Sequence, residues 1–178
     1  MSRFQIRRLV PADASDYRAI RLAALQGDAA AFGSTYEAEV ARPLTHFAER
    51  LTSSAVYGAY ADERIIGMAG FKRHEGARDR HKAFVWGTYV QPEMRRQGVA
   101  QALMAAVLRD ARALVEQLTL CVVKDNAAAL ALYRGLGFEV YGTEPRALKS
   151  SAGYADEVLM VRFLDRSSEI SARWSAGK

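Results

Sequence analysis

Cysteine is the scarcest residue that matters here: Cys121 stands alone in 178 residues. One thiol excludes an intramolecular disulfide framework and any cysteine-rich zinc site, and it suits a reducing cytoplasm. Nowhere do 18 apolar residues follow one another, so no membrane-spanning helix is expected. The opening Met1-Ser2-Arg3-Phe4 runs into alternating residues rather than the apolar stretch of a leader. Low-complexity and collagen-like readings fail with 13 glycines and 4 prolines, and disorder fails with 50% hydrophobic and 25% charged residues. A Walker loop is missing, since the only Gly-Lys pair is Gly177-Lys178, and so is a G-x-G-x-x-G after the first strand. What remains is a soluble, cytoplasmic, single-domain globular chain, long enough to bury a core without staples.

Charge is the one deviation. Lys and Arg number 25 against 20 Asp and Glu, a net +5. Such a surplus fits nucleic acid, an anionic membrane or a phosphorylated ligand, and it also lies within the range that merely keeps a domain soluble. Where the positive charge sits decides between these.

Phe4 to Arg7 alternates as a strand does and stops at Val10-Pro11. Asp13 caps a helix whose Tyr17, Ile20, Ala24 and Leu25 recur at helical spacing up to Gly27. A loop at Ala31–Ser34 leads to a second helix from Pro43, with Leu44, Phe47 and Leu51 on one face. Ala55–Ala61 and Ile65–Lys72 form a hairpin across Asp62-Glu63-Arg64, and a third run, Ala83–Val90, completes an antiparallel meander. From Gly98 a long amphipathic helix carries Val99, Leu103, Val107 and Leu114. Leu118–Val123 reads as a strand covered on both faces. Asn126 opens another helix, closed by Gly137. Phe138–Gly142 and Val158–Phe163 are closing strands joined by a loop. The order predicts a mixed α/β (α+β) fold, with a parallel strand pair in its second half grafted onto an antiparallel first half.

Arg95-Arg96-Gln97-Gly98-Val99-Ala100 lies between a strand and a helix N-terminus, where unsatisfied N–H groups and the positive dipole end make an anion site. Gly98 lets a phosphate approach the backbone, and Ala100 keeps the first turn clear. A plain helix start with solvated arginines accounts for these six residues equally well.

Taken together, Arg95-x-x-Gly98-x-Ala100 after a strand ending Tyr89-Val90-x-Pro92 resembles the acyl-CoA signature of the GNAT superfamily of N-acetyltransferases. Asn126-x-x-Ala129-x-x-Leu132-Tyr133-x-x-x-Gly137-Phe138 resembles its second signature, and Tyr154-x-Asp156-Glu157-x-Leu159-Met160 its final strand region. The resemblance covers residues 3–164. It implies a GNAT-like, mostly antiparallel central sheet with a splayed parallel strand pair and flanking helices. Residues 1–165 would form one acetyltransferase domain, with 166–178 a polar tail.

By the same resemblance, the amides of Arg95, Arg96, Gln97, Gly98, Val99 and Ala100 hold the CoA pyrophosphate. The Val90 backbone pairs with the pantetheine arm like an added strand, and Asn126 touches that arm as well as capping its helix. Tyr133, two helical turns after Asn126 and so on the same face, is the catalytic residue, donating a proton or a hydrogen bond to the leaving CoA sulfur. A phenol near pKa 10 and a thiol near 8.5 make full transfer to a free thiolate uphill by about 2 kcal/mol. Acetyl-CoA is the cosubstrate, no metal is implied, and the acceptor is a small-molecule or peptide amine. Homodimerisation through the closing strands is compatible with the pattern.

The chemistry needs a neutral amine, and a lysine-type amine of pKa near 10.4 is only about 0.04% neutral at pH 7. Many relatives carry a Glu on the strand before the phosphate loop, but this chain has Trp86-Gly87-Thr88-Tyr89. The base is therefore open among Glu37, Glu39, Glu75 and Asp156, each of which also reads as a solvated surface acid. His74 and His81 match no zinc spacing, and the basic stretch Lys72–Lys82 lacks the interleaved aromatics of a nucleic-acid face. Cys121 reads as a buried, inert strand residue, too poorly placed for a covalent acetyl-enzyme. Trp86 fits an acceptor pocket or the core, and Trp174 lies in the tail. Two rival readings stand beside the transferase: a catalytically silent acyl-CoA sensor, and a basic nucleic-acid-binding domain.

Overall fold

The computed structural model describes residues 4–164; the tail 166–178 and Trp174 lie outside them. Seven strands form one sheet in the order β1-β2-β3-β4-β5-β7-β6. They are β1 (Gln5–Arg8), β2 (Ala55–Ala61), β3 (Arg64–Arg73), β4 (Lys82–Val90), β5 (Gln117–Val123), β6 (Glu139–Ser150) and β7 (Gly153–Phe163). Five α-helices flank the sheet: α1 (Ala14–Gly27), α2 (Tyr36–Val40), α3 (Leu44–Ser53), α4 (Val99–Ala111) and α5 (Ala127–Gly135). Every neighbouring pair is antiparallel except β4 and β5, so the expected mixed sheet with one parallel pair is what forms.

Strand alternation sends side chains to two separate cores. Val56 and Met68 face α1 and α3, joining Tyr17, Ile20, Phe47 and Leu51. Their strand neighbours Tyr57 and Ala69 face the other way, towards Leu103, Met104 and Val107 of α4. Leu130 and Tyr133 of α5 join that second core beside Phe138 and Met160. Leu103 and Met104 are wholly buried, and each such side chain contributes about 1.5–3 kcal/mol of transfer free energy. Truncating Leu103 to Ala would cost about 2–5 kcal/mol, through lost burial and the cavity left behind.

Several local readings are corrected. Asp13 does stand before α1, but its carboxylate takes the Arg7 guanidinium at 2.8 Å and the Val10 N–H instead of capping the helix. Between the Ala31–Ser34 loop and the helix from Pro43 the chain adds a helix not read from its pattern, α2, whose N-cap Thr35 Oγ1 accepts from the Ala38 N–H. Helix α4 stops at Ala111, leaving Leu114 beyond it and exposed. The segment from Glu144 to Asp156 is no loop: both strands continue through it to a turn at 151–152, with a register shift between Glu144 and Leu148. Finally, β5 is buried on one face only. Leu118, Leu120 and Val122 point into the core, while Thr119, Cys121 and Val123 are half-exposed.

Candidate functional site

That half-open face of β5 borders a gap in the sheet. β4 and β5 pair over only three positions, Lys82–Phe84 against Gln117–Thr119, and separate beyond them. β5 stays paired with β7 as far as Val123, while β4 stays paired with β3 but shifts register between Met68 and Gly70. Gly87 sits at this irregularity with φ +68, a conformation that a side chain would strain. A cleft of about 1000 Å³ opens into the wedge, walled by Trp86, Gly87 and Thr88 of β4, Cys121 and Val123 of β5, and Tyr133 of α5. Its size lies at the upper end for small-molecule sites.

β4 runs out of the wedge directly into the loop before α4. Gly98 has φ +82, and a Cβ there would meet nothing within 4 Å. No side chain caps the helix behind it. The first amides of α4 therefore face open space with the dipole's positive end behind them. Arg96 also lies in the left-handed region, at φ +59. The arginines differ in role. Arg95 is tied down: its Nε donates to the Val90 carbonyl at 3.0 Å, its Nη2 lies 2.6 Å from Asp28, and its guanidinium stacks over the Tyr89 ring. Gln97 is likewise engaged, donating to the Glu93 carbonyl. The Arg96 side chain is exposed and forms no hydrogen bond or ion pair with a described residue. The loop from Arg95 to Ala100 does not line the cleft itself; β4 connects the two.

Asn126 and Tyr133 both line the cleft, as their seven-residue spacing predicts. Asn126 Oδ1 accepts from the Ala129 N–H at 3.1 Å, so it is an N-cap whose amide nitrogen is left for the cleft. Tyr133 is buried, edge-on to Phe138 at 5.7 Å. Burial pushes its phenol above the ordinary value, and a hydrogen bond with the Thr88 hydroxyl pulls it partly back. Thr88 and Tyr133 come from opposite sides of the wedge, β4 and α5.

None of the four acids read from the sequence is a free base in the cleft. Glu39 lines it but is buried between Arg21 and Arg50. Glu75 is exposed and pairs with Lys72. Asp156 accepts from the Arg146 N–H and faces Lys124, and Glu37 stands exposed in the first turn of α2. The acid on the open face is Glu157, next in sequence to Asp156. It pairs with Val123 on one side and Glu144 on the other. Desolvation, and then the Glu144 charge, hold its carboxyl above the ordinary range. Period-two alternation could have found it: Val158 and Met160 are the apolar core positions, so Glu157 shares the opposite face with Leu159.

Cys121 is corrected as well. It lines the cleft and is only half-buried, so its placement is no obstacle to chemistry. Its thiol is pushed up to about 11, mainly by burial and further by Glu157 and Glu144. A neutral thiol is a poor nucleophile.

The wall opposite β5 is built by three charged side chains. Arg21 of α1 and Arg50 of α3 converge on Glu39 of α2; Arg50 Nη1 reaches both carboxylate oxygens at 3.2 Å, and Arg21 Nη2 reaches one at 3.4 Å. Arg50 also touches Tyr17 and His46, and Phe32 covers Arg21. The basic stretch after β3 is largely paired within itself, His74 with Asp79 and Arg73 with the Arg80 carbonyl. Among the described residues, no three His, Cys, Asp or Glu side chains group as metal ligands, and no helix is long and apolar enough to cross a membrane.

Comparisons with known proteins identify the family and the fold. Residues 18–138 match the acetyltransferase (GNAT) family. A mycothiol acetyltransferase of Brachybacterium faecium is 38% identical over 97 residues, which is 53% of this chain and 29% of the relative. An L-amino acid N-acetyltransferase of Escherichia coli is 30% identical over 106 residues, 58% of this chain and 65% of the relative. The chain thus spans under a third of the first relative and about two thirds of the second. Among solved structures, a GNAT-family acetyltransferase of Streptococcus pneumoniae superposes with TM-score 0.81 at 20% identity, covering 91% of this chain and 99% of its own. A Salmonella typhimurium protein solved with its cofactor acetyl-CoA superposes with TM-score 0.77 at 21% identity, covering 93% and 96%. Both superpositions establish the fold.

Proposed function

The chain belongs to the acetyltransferase (GNAT) family, and from that membership we propose that it is an acetyl-CoA-dependent N-acetyltransferase, acting on a primary amine by direct attack in a ternary complex. The observation that carries this reading is the continuity of β4. One strand borders the cleft holding Tyr133 and ends in a loop whose helix amides are uncapped and whose Gly98 leaves open space. A pyrophosphate fits the amides from Arg95 to Ala100, aided by the exposed Arg96. The splayed edge of β4 up to Val90 suits the pantetheine amides, with Asn126 on the opposite wall. Bound there, acetyl-CoA supplies the acyl group and a thiolate leaving group.

The chain's own residues do the rest. Glu157 takes the ammonium proton, directly or through water, so that the amine attacks as a neutral nucleophile. As the new C–N bond forms and the C–S bond breaks, the Tyr133 hydroxyl donates a hydrogen bond to the sulfur, and the proton that the nitrogen sheds on becoming an amide passes through water to the departing thiolate. A phenol raised above pKa 10 keeps its proton at neutral pH, so hydrogen-bond donation is favoured over full transfer. Cys121, held neutral, takes no acetyl group.

Release of free CoA thiol from acetyl-CoA, with and without a panel of amines, tests the reading. Amine-dependent release that falls in Tyr133→Phe supports it. CoA binding without amine-dependent release from any acceptor would establish the sensor reading instead.

A further inference from the structure

The three charges behind the cleft do not balance. Glu39 is already satisfied by Arg50, which contacts both of its oxygens at 3.2 Å. Arg21 adds a second guanidinium through a single, longer contact at 3.4 Å. Its side chain is only 7% exposed, yet Nε is buried with no hydrogen-bond partner. Nη1 forms no hydrogen bond with a described residue either. One guanidinium is thus largely buried with Nε unpartnered, on a side chain that lines the cleft, an arrangement that an anion there would complete. Glu49, Glu75 and Glu157 line the same cleft, but none of them contacts either arginine among the described residues, and Glu75 is paired with Lys72.

The position of Arg21 shows which anion. Its Nη1 lies 4.0 Å from where a Gly87 Cβ would stand. The next residue on β4, Thr88, lines the cleft together with Tyr133 and acts on its hydroxyl. The Arg21 guanidinium and the group assigned to the CoA sulfur thus stand beside consecutive residues of β4, and all four residues line one cleft. We infer that Arg21 binds a carboxylate of the acceptor, a few bonds from the reacting nitrogen, so that the acceptor is an amino acid rather than a polyamine or a protein lysine. The inference rests on the N-acetyltransferase reading for its reaction and on Arg21 alone for its specificity.

The test separates binding from turnover. With CoA present, calorimetry compares L-amino acids with their carboxamides and with the matching decarboxylated amines. At least one amino acid should bind about 10- to 100-fold more tightly than its amide, the scale of one charge-assisted contact. Arg21→Met should abolish that preference, and Arg21→Lys should restore part of it. Arg21→Met leaves Arg50 and Glu39 as a balanced pair, so it should fold, and a thermal melt checks this. Acid and amide binding alike, or a preference unchanged in Arg21→Met, overturns the inference. The thiol assay on the same compounds reads the reaction separately. If amino acids bind through Arg21 but no amine is acetylated, the carboxylate site stands and the transferase reading falls. If amides and amines are acetylated as well as amino acids, the transferase stands and the carboxylate site falls.

Discussion

Arg95 and Asp28 meet at 2.6 Å, joining the loop before α4 to the end of α1. With its Nε on the Val90 carbonyl, Arg95 serves as a brace that sets the loop's position, and the free charge beside the helix amides comes from Arg96. Asp28→Asn should therefore raise the KM for acetyl-CoA several-fold while leaving kcat near its original value. Both partners are about 40% exposed, so stability should change by no more than about 1 kcal/mol. Steady-state kinetics and chemical denaturation check the two halves.

Tyr133→Phe should lower kcat about 100-fold, the low end for a positioned proton donor, with the KM for acetyl-CoA within about twofold. Because burial raises the phenol, Tyr133 stays protonated up to pH 10, and no alkaline loss of activity between pH 7 and 9 should be traceable to it. An unchanged kcat in the variant would remove Tyr133 from the mechanism.

Glu157 must be ionised to accept a proton, and its carboxyl sits above the ordinary value of 4.5. The kcat/KM should rise with pH through that raised value, and Glu157→Gln should flatten this limb. Glu144→Gln removes the like charge opposite and should move the limb to lower pH. Stability runs the other way. The protonated form is favoured in the fold, so that contribution is complete below 4.5 and is lost as pH rises through the raised value. Glu157→Gln should thus melt slightly higher than the native chain at pH 8, and that difference should vanish at pH 4.

Glu39→Ala should be the most damaging single change at the site. It strands the buried Arg21 and the half-buried Arg50, and breaking such a buried pair costs about 3–5 kcal/mol. Arg21→Met should cost much less, since it leaves one cation facing one carboxylate. Urea denaturation of the two variants orders them.

Cys121, pushed up to about 11, should react slowly with iodoacetamide at pH 7 despite lining the cleft, and faster as pH is raised towards that value. Cys121→Ala should retain amine-dependent turnover. Loss of turnover together with trapping of an acetylated protein would restore the covalent route.

Much of the fold was legible in periodicity. The meander Ala55–Val90, the helices around Tyr17, Phe47 and Leu103, and the cap at Asn126 are local patterns written in neighbouring residues. Readings failed where a partner outside the element took over. Asp13 looked like a cap until Arg7 claimed its carboxylate. Leu118–Val123 looked doubly buried because an apolar run does not record that β4 turns away from one side of it. The base was sought in loops because loops collect acids, whereas Glu157 is exposed to the cleft by the register of β7 against β5.

The sequence by itself determined the family, the order of elements, the Gly98 turn and the Asn126–Tyr133 pair, since each depends on spacing within one element. Tertiary structure alone decided what the charges do. It turned Arg95 into a brace, buried Glu39 between two arginines, made the lone cysteine a cleft residue with a suppressed thiol, and left Arg21 Nε without a partner. A charge acts through its distance to other charges and to water, and only the packed chain sets those distances.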